Sequence, residues 1–174
     1  VDNYQETGDL YAAVARSNQA HAKIIQIDTS IAEAMPGVNR VICGEEAKSY
    51  WKPLAPTMEL LDLKLPKRYA LATEKTIFYG EALVLIIADD PYIAEDAARS
   101  VHVSYEPLPV NTDPLKSGAL NTDDDGLLYP EWGTNVQVAF EFEHGNIDEK
   151  FTSSDLIIDE KISSHRYSAM PMET

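Results

Sequence analysis

Asn121, Asp123 and Asp125 stand at alternate positions, and Gly126 follows them. This is the spacing with which an EF-hand loop offers its first oxygen ligands to calcium and then turns sharply. Leu128 suits the apolar eighth position of such a loop. The twelfth position must supply a bidentate carboxylate, and here it is Trp132. Pro114 before the segment and Pro130 after it deny the flanking helices. The segment therefore reads as an acidic, solvated loop. The four histidines, His21, His102, His144 and His165, have no His or Cys partner at ligand spacing, so no metal site is expected. His102 falls in a predicted strand and reads as pointing outward or satisfied by a neighbour. His21 precedes a strand and reads as the donor or acceptor of a turn hydrogen bond. Cys43, at a strand end, reads as a buried structural thiol, since a free cysteine behaves as a small hydrophobe. Glu173 sits beside Met170, Pro171 and Met172. A carboxylate among apolar neighbours has a raised pKa or a dedicated partner, which is how functional acids are built, but a solvated residue near the chain end fits as well. No glycine grouping forms a dinucleotide or P-loop motif, and there is no Gly-x-Ser-x-Gly elbow. No residue of this chain is assigned a catalytic, cofactor-binding or metal role on these grounds.

Charge narrows the function classes further. The 174 residues carry 14 basic and 29 acidic side chains, a net charge of −15. A phosphate-tracking nucleic-acid binder needs a basic face, and docking on anionic lipid needs one too, so both are disfavoured. The apolar run through Leu83 to Ala88 is far too short to span a bilayer, and no basic segment leads into an apolar one as in a signal peptide. One cysteine excludes an internal disulfide and any Cys-rich cluster, which suits a reducing, cytoplasmic setting. The excess charge is uneven. Residues 113–160 hold 12 acids and 2 bases, whereas residues 1–112 hold 16 acids and 10 bases. The shift begins at Pro107-Leu-Pro109 and Asp113-Pro114, which are turn and linker chemistry and place a domain boundary near 110–120.

The elements that must carry these residues can be read from periodicity. Leu10–Arg16 predicts a strand apolar on both faces. Lys23–Asp28 predicts a second, with Ile25 and Ile27 sharing one face. Ser30 and Glu33 have capping-box spacing, and Ile31, Ala34 and Met35 form the apolar stripe of a short helix that Pro36-Gly37 stops. Val38–Cys43 returns as a strand, and residues 44–70 read as a surface loop anchored by Tyr50 and Trp51. Thr76–Tyr79 and Leu83–Ala88 read as hairpin-like β runs around Gly80-Glu81. The clearest helix follows, with Asp90 as N-cap, Pro91 in the first turn and Ile93, Ala94, Ala97, Ala98 and Val101 on one face. Val101–Tyr105 is a strand. Beyond the boundary, Val136–Phe142 alternates as a half-buried strand, Asn146–Phe151 is a helical turn, and Leu156–Ile162 is another strand. The class is α+β, because the helices are too few to cover both faces of a doubly wound sheet. The moderately apolar ending, Ser168 to Glu173, reads as a chain severed inside a segment.

Taken in order, several segments resemble a known family. They are Leu10 to Ser17, Ala20-His21-Ala22-Lys23-Ile24, Ile27-Asp28 and Pro36-Gly37-Val38. Tyr79-Gly80-Glu81-Ala82, Ala94-Glu95-Asp96-Ala97-Ala98 and Tyr105 to Pro109 continue the set. Gly145-Asn146-Ile147-Asp148, Phe151, Asp155, His165-Arg166-Tyr167 and Pro171-Met172-Glu173 complete it. Together they resemble the start of the molybdenum hydroxylase large subunit, the xanthine dehydrogenase, aldehyde oxidase and aerobic carbon monoxide dehydrogenase family.

The resemblance implies an α/β-hammerhead domain over residues 1–115. It implies that residues 116–174 are an acidic linker and the opening strands of a truncated molybdopterin-binding domain. The family's glutamine segment, its Gly-Gly-Phe-Gly stretch and its C-terminal catalytic glutamate do not occur in these residues. The chain is thus expected to bind no cofactor itself and to scaffold an enzyme whose molybdopterin-bound molybdenum oxidises aldehydes, purines or carbon monoxide. The implied partners are the remainder of the large subunit and iron–sulfur and FAD subunits. Glu173 matches a family motif without acquiring a catalytic role. The alternative is a stand-alone, non-enzymatic binding or assembly module of the same fold.

Overall fold

The computed structural model describes residues 6–54, 63–165 and 167–169. Its centre is a strand, Ala82–Ala88, in which Leu83, Val84 and Ile86 are wholly buried. A near-continuous apolar run of this kind is stable only when neighbours cover both faces and both edges, and each such side chain contributes about 1.5–3 kcal/mol by leaving water. The strands in chain order are β1 (Tyr11–Arg16), β2 (Ala22–Asp28), β3 (Val38–Cys43), β4 (Lys75–Thr76), β5 (Ala82–Ala88) and β6 (His102–Pro107). They make two three-stranded antiparallel sheets, ordered β1-β5-β3 and β4-β2-β6.

The helix Pro91–Ser100 packs across β1 and β5. It starts where expected: the Asp90 carboxylate accepts the N–H groups of Tyr92 and Ile93, and Ala94 and Ala97 are buried on the inner face. With the short helices Ser30–Glu33 (α1) and Gly44–Tyr50 (α2) before it and Pro114–Gly118 (α4) and Ile147–Ser153 (α5) after it, it is α3 of the five among the described residues. No helix among the described residues is long and apolar enough to cross a membrane.

Several local expectations are corrected. Leu10–Arg16 is not buried on both faces: β1 is an edge strand, and of its residues only Ala15 is fully buried. Ile25 does not share the face of Ile27. The pairing of β2 with β6 shifts register between Ile24 and Gln26, which turns Ile25 outward at 61% exposure while Ile24 and Ile27 pack on the core. The Ser30–Glu33 capping box does not form. The Asp28 carboxylate instead accepts the Ser30 N–H at 3.0 Å, and the Thr29 hydroxyl donates to Glu33 at 2.6 Å. Ala32, not Ile31, is the residue of α1 that reaches the core. Residues 44–50 are a helix, α2, because Ala47 is drawn into the apolar cluster of Ile42 and Leu71; residues 55–62 lie outside the described part of the chain. The runs about Gly80 are no hairpin: β4 joins β2 and β5 joins β1 and β3. The chain crosses between sheets at Gly80, whose φ of +85° suits glycine.

Thr7–Ala139 form one compact unit. The stretch after β6 stays attached to it through the Lys75 ammonium, which donates to the Leu128 carbonyl, and through the Lys64 N–H, which donates to Gln137 at 2.9 Å. Asn135 closes the loop from inside. Its amide oxygen accepts the Leu128 N–H at 2.8 Å, and its NH2 donates to the Gly126 carbonyl at 3.0 Å and the Ser117 hydroxyl at 3.2 Å.

The described residues from Phe140 onward belong to a second unit. The expected turn is there as α5, capped by the Asn146 side chain accepting from Glu149 at 3.2 Å. The expected strands 136–142 and 156–162 are not strands: Phe142 is 87% and Ile162 is 88% exposed. Alternation supplies a strand with a face, but its N–H and C=O groups also need a neighbouring strand. Among the described residues no strand ladder forms with either segment; one backbone bond, from the Lys64 N–H, reaches Gln137.

Candidate functional site

The residues singled out for chemistry do not converge. His102, His144 and His165 are exposed at separate places. Among the described residues no three His, Cys, Asp or Glu side chains gather as a metal-binding group. Asn121, Asp123 and Asp124 are used inside their own loop: Asp124 accepts the Asn121 N–H at 2.9 Å, and Asn121 accepts the Asp123 N–H at 3.0 Å. Cys43 is half-buried against the core, and burial, with Glu33 and Glu46 nearby, pushes its thiol pKa up, away from thiolate reactivity. Glu173 lies outside the described residues.

His21 does not make the expected local turn hydrogen bond; its ring bonds instead to a segment 88 residues further along the chain. It is 6% exposed, and its Nδ1 lies 2.7 Å from the Pro109 carbonyl, so Nδ1 carries the proton. The Leu108 N–H donates to the His21 carbonyl at 3.0 Å, making a second tie to the same segment. The remaining nitrogen, Nε2, is buried and has no hydrogen-bond partner among the described residues.

What the sequence reading missed is an open cleft of about 630 Å3 bordered by α2, the segment 65–77, Glu81 and the turn Pro130–Trp132. It is built by cations laid on rings. Lys48 sits 5.3 Å from the centre of Tyr69, Arg68 5.5 Å from Phe78, and Lys75 5.3 Å from Tyr129. Tyr129 itself stacks on Trp132 at 4.4 Å. Burial raises the Tyr129 pKa. Glu81 is half-buried at the inner wall. Its carboxylate accepts the Ile77 N–H at 2.7 Å, and burial still pushes its pKa above the usual range, with Arg68 opposing. The available signal was the clustering of bases: Lys48, Lys52, Lys64, Lys67, Arg68 and Lys75 fall within one stretch of an otherwise acidic chain.

Aromatic rings and arginine at the mouth of an open cleft are the composition of a contact surface. Among the described residues the cleft has no nucleophile held against a general base, which acyl or glycosyl chemistry would require. Its arrangement suits holding a polypeptide or a polar group.

Comparison with known proteins agrees with this architecture. Residues 1–109 match the family model described as "Aldehyde oxidase and xanthine dehydrogenase, a/b hammerhead domain". The chain is 35% identical over 95% of its length to the 6-hydroxypseudooxynicotine dehydrogenase complex subunit gamma of Paenarthrobacter nicotinovorans, covering 21% of that protein. It is 32% identical over its whole length to the carbon monoxide dehydrogenase large chain of Afipia carboxidovorans, covering 22% of it. The solved aldehyde oxidoreductase of Desulfovibrio gigas superposes with a TM-score of 0.70 at 26% identity, over 87% of this chain and 16% of that one. The chain thus spans about a fifth of the length of the curated relatives it matches. A family model matched over more than half of the chain, together with relatives 32–35% identical over nearly all of it, settles the family: the chain belongs to the aldehyde oxidase and xanthine dehydrogenase family of molybdenum hydroxylases and carries its α/β-hammerhead domain.

Proposed function

We propose that these residues are part of the large subunit of a molybdopterin-dependent oxidoreductase, with residues 1–115 as the hammerhead domain and 116–174 as an acidic connection into the molybdopterin-binding domain. The intact enzyme oxidises an aldehyde, a purine or carbon monoxide in the cytoplasm, and passes electrons to iron–sulfur and FAD subunits. The observation that carries this reading is the ordered similarity along nearly the whole chain to large and gamma subunits many times longer than the hammerhead domain.

The bound cofactor would supply the hydroxylation or oxidation chemistry, and the protein's task is to hold and tune it. On this reading the described residues take no part in that holding task. A pterin pyrophosphate needs backbone N–H groups free at an open cradle. At Gly44, Gly126, Gly37 and Gly133 the space is filled by this chain's own Ala72, Leu120, Ile93 and Thr122, and the Gly80 N–H is taken by the Ser17 carbonyl, whereas Gly8 and Gly145 stand open. The contribution of these residues is therefore scaffolding: a rigid two-sheet body and a cationic, aromatic cleft that pack against the cofactor domain and partner subunits.

The test is elemental analysis of the purified 174-residue polypeptide with dye-linked assays of aldehyde, purine and carbon monoxide oxidation. The expected result is no molybdenum and no turnover. Stoichiometric molybdenum with turnover in this polypeptide alone overturns the scaffold reading.

A further inference from the structure

Basic side chains are concentrated in one stretch of this acidic protein. Residues 48–75 carry six bases and three acids, and the rest of the chain carries eight bases and 26 acids. Three lysines of the stretch are engaged inside the domain. Lys48 pairs with Glu45 at 2.9 Å, Lys75 donates to the Leu128 carbonyl, and Lys64 donates to the Trp132 carbonyl at 3.4 Å. Lys67 and Arg68 line the open cleft and are exposed, and among the described residues no hydrogen bond or ion pair holds either side chain's nitrogens. Arg68 lies over the Phe78 ring. A guanidinium held this way keeps its N–H fork for a carboxylate and loses little freedom in pairing with one. The backbone N–H groups of Lys67, Arg68 and Tyr69 likewise have no acceptor among the described residues. Leu65 in the cleft wall and Phe78 under Arg68 are each 44% exposed.

We infer that the Lys67–Arg68 side of the cleft docks an acidic, partly apolar segment of a partner polypeptide. This rests on the scaffold reading above, in which the cleft faces partner subunits, and adds the chemistry of what it meets. Carboxylates of the segment pair with Lys67 and with the Arg68 fork, main-chain carbonyls accept from the N–H groups of 67–69, and apolar side chains cover Leu65 and Phe78. A free anion would satisfy the cations but leave Leu65 and Phe78 in water. A nucleic acid or an anionic membrane would bring many negative charges against a chain of net charge −15. Glu74, Glu81 and Glu131 also line the cleft and oppose an acidic occupant. Glu81 is turned to the Ile77 N–H. The attraction is therefore confined to Lys67 and Arg68, and the contact is weak and salt-dependent.

Fluorescence anisotropy of a short labelled peptide alternating glutamate and leucine, titrated with the 174-residue chain, tests this. The expected result is binding that weakens as salt is added, while the same peptide with lysine in place of glutamate does not bind. Hydrogen exchange should slow at Lys67, Arg68 and Tyr69 when the glutamate peptide is present. The double variant Lys67→Glu with Arg68→Glu should bind at least about tenfold more weakly, because like charges then face each other. Both positions are exposed, so its circular dichroism and thermal midpoint should match the parent's. Lys52→Glu, in the same basic stretch but outside the cleft, should bind as the parent does. Absence of binding at low salt overturns the proposal, as does equal binding by the double variant. Full displacement of the peptide by inorganic phosphate, or tighter binding of a single-stranded oligonucleotide, overturns a polypeptide as the occupant. The scaffold reading stands apart from these outcomes, since it falls only on molybdenum and turnover in the isolated chain.

Discussion

Gly44 lies against the carbonyl of Ala72 so closely that a Cβ at position 44 would collide with it, and would also press on the Thr73 methyl. This contact locks the first residue of α2 onto the segment that hydrogen-bonds to β5 through the Ala72 N–H and the Ala82 carbonyl at 2.8 Å. The glycine is there for space, since its backbone is not left-handed. Gly44→Ala should therefore destabilise the domain by about 1–3 kcal/mol, the usual cost of overpacking. Urea unfolding with an unchanged m-value checks this; a neutral outcome would mean that the segment 71–73 yields.

Asp90 accepts two N–H groups at the start of α3, at 2.8 and 3.4 Å. Asp90→Ala should cost about 1 kcal/mol, and Asp90→Asn or Asp90→Ser much less, because both keep an accepting oxygen. Chemical denaturation of the three variants side by side distinguishes capping from a general effect of charge.

Asn135 satisfies three separate groups of the loop 117–135. Asn135→Ala leaves the Leu128 N–H and the Gly126 carbonyl unpaired, at about 1–3 kcal/mol. Hydrogen exchange should rise first at Leu128, with β5 keeping its protection. Equal loss in both places would show that the loop and the sheets open together.

Glu81 has a native pKa raised by burial above its ordinary 4.5. The native state then binds more protons than the unfolded chain between about 4.5 and that higher value. Its contribution to stability is present below the unfolded value and is lost as pH rises through the native one. Glu81→Gln keeps an oxygen for the Ile77 N–H and should flatten this part of the pH–stability profile. If the variant's profile keeps the parent's slope, another group is responsible.

The legible parts of the fold are those decided by local chemistry. The Asp90-Pro91 start of α3 could be read directly, because the cap and the proline act within one turn. So could the strand character of β1, β2, β3, β5 and β6, because β-branched and apolar runs seek a covered pleat. Ile25 could not be placed, since the irregularity that turns it outward depends on how β2 registers against β6, far along the chain. α2 was missed because its only buried side chain, Ala47, gains from Leu71 and Ile42, not from a stripe within the helix. The cleft was missed for the same reason: Lys48, Arg68, Glu81 and Tyr129 are neighbours in space only.

The sequence by itself determined the family, the α+β class, the long helix and the absence of familiar nucleotide motifs, because these rest on residue types in order. Only the tertiary structure decided which strands share a sheet, that Thr76 and Leu83 part into different sheets, and that 136–142 and 156–162 form no strand ladder among the described residues. The physical reason is that a strand's hydrogen bonds are made with another segment. A chain can announce that it will be extended, but which neighbour satisfies its backbone is settled by the packing of the whole.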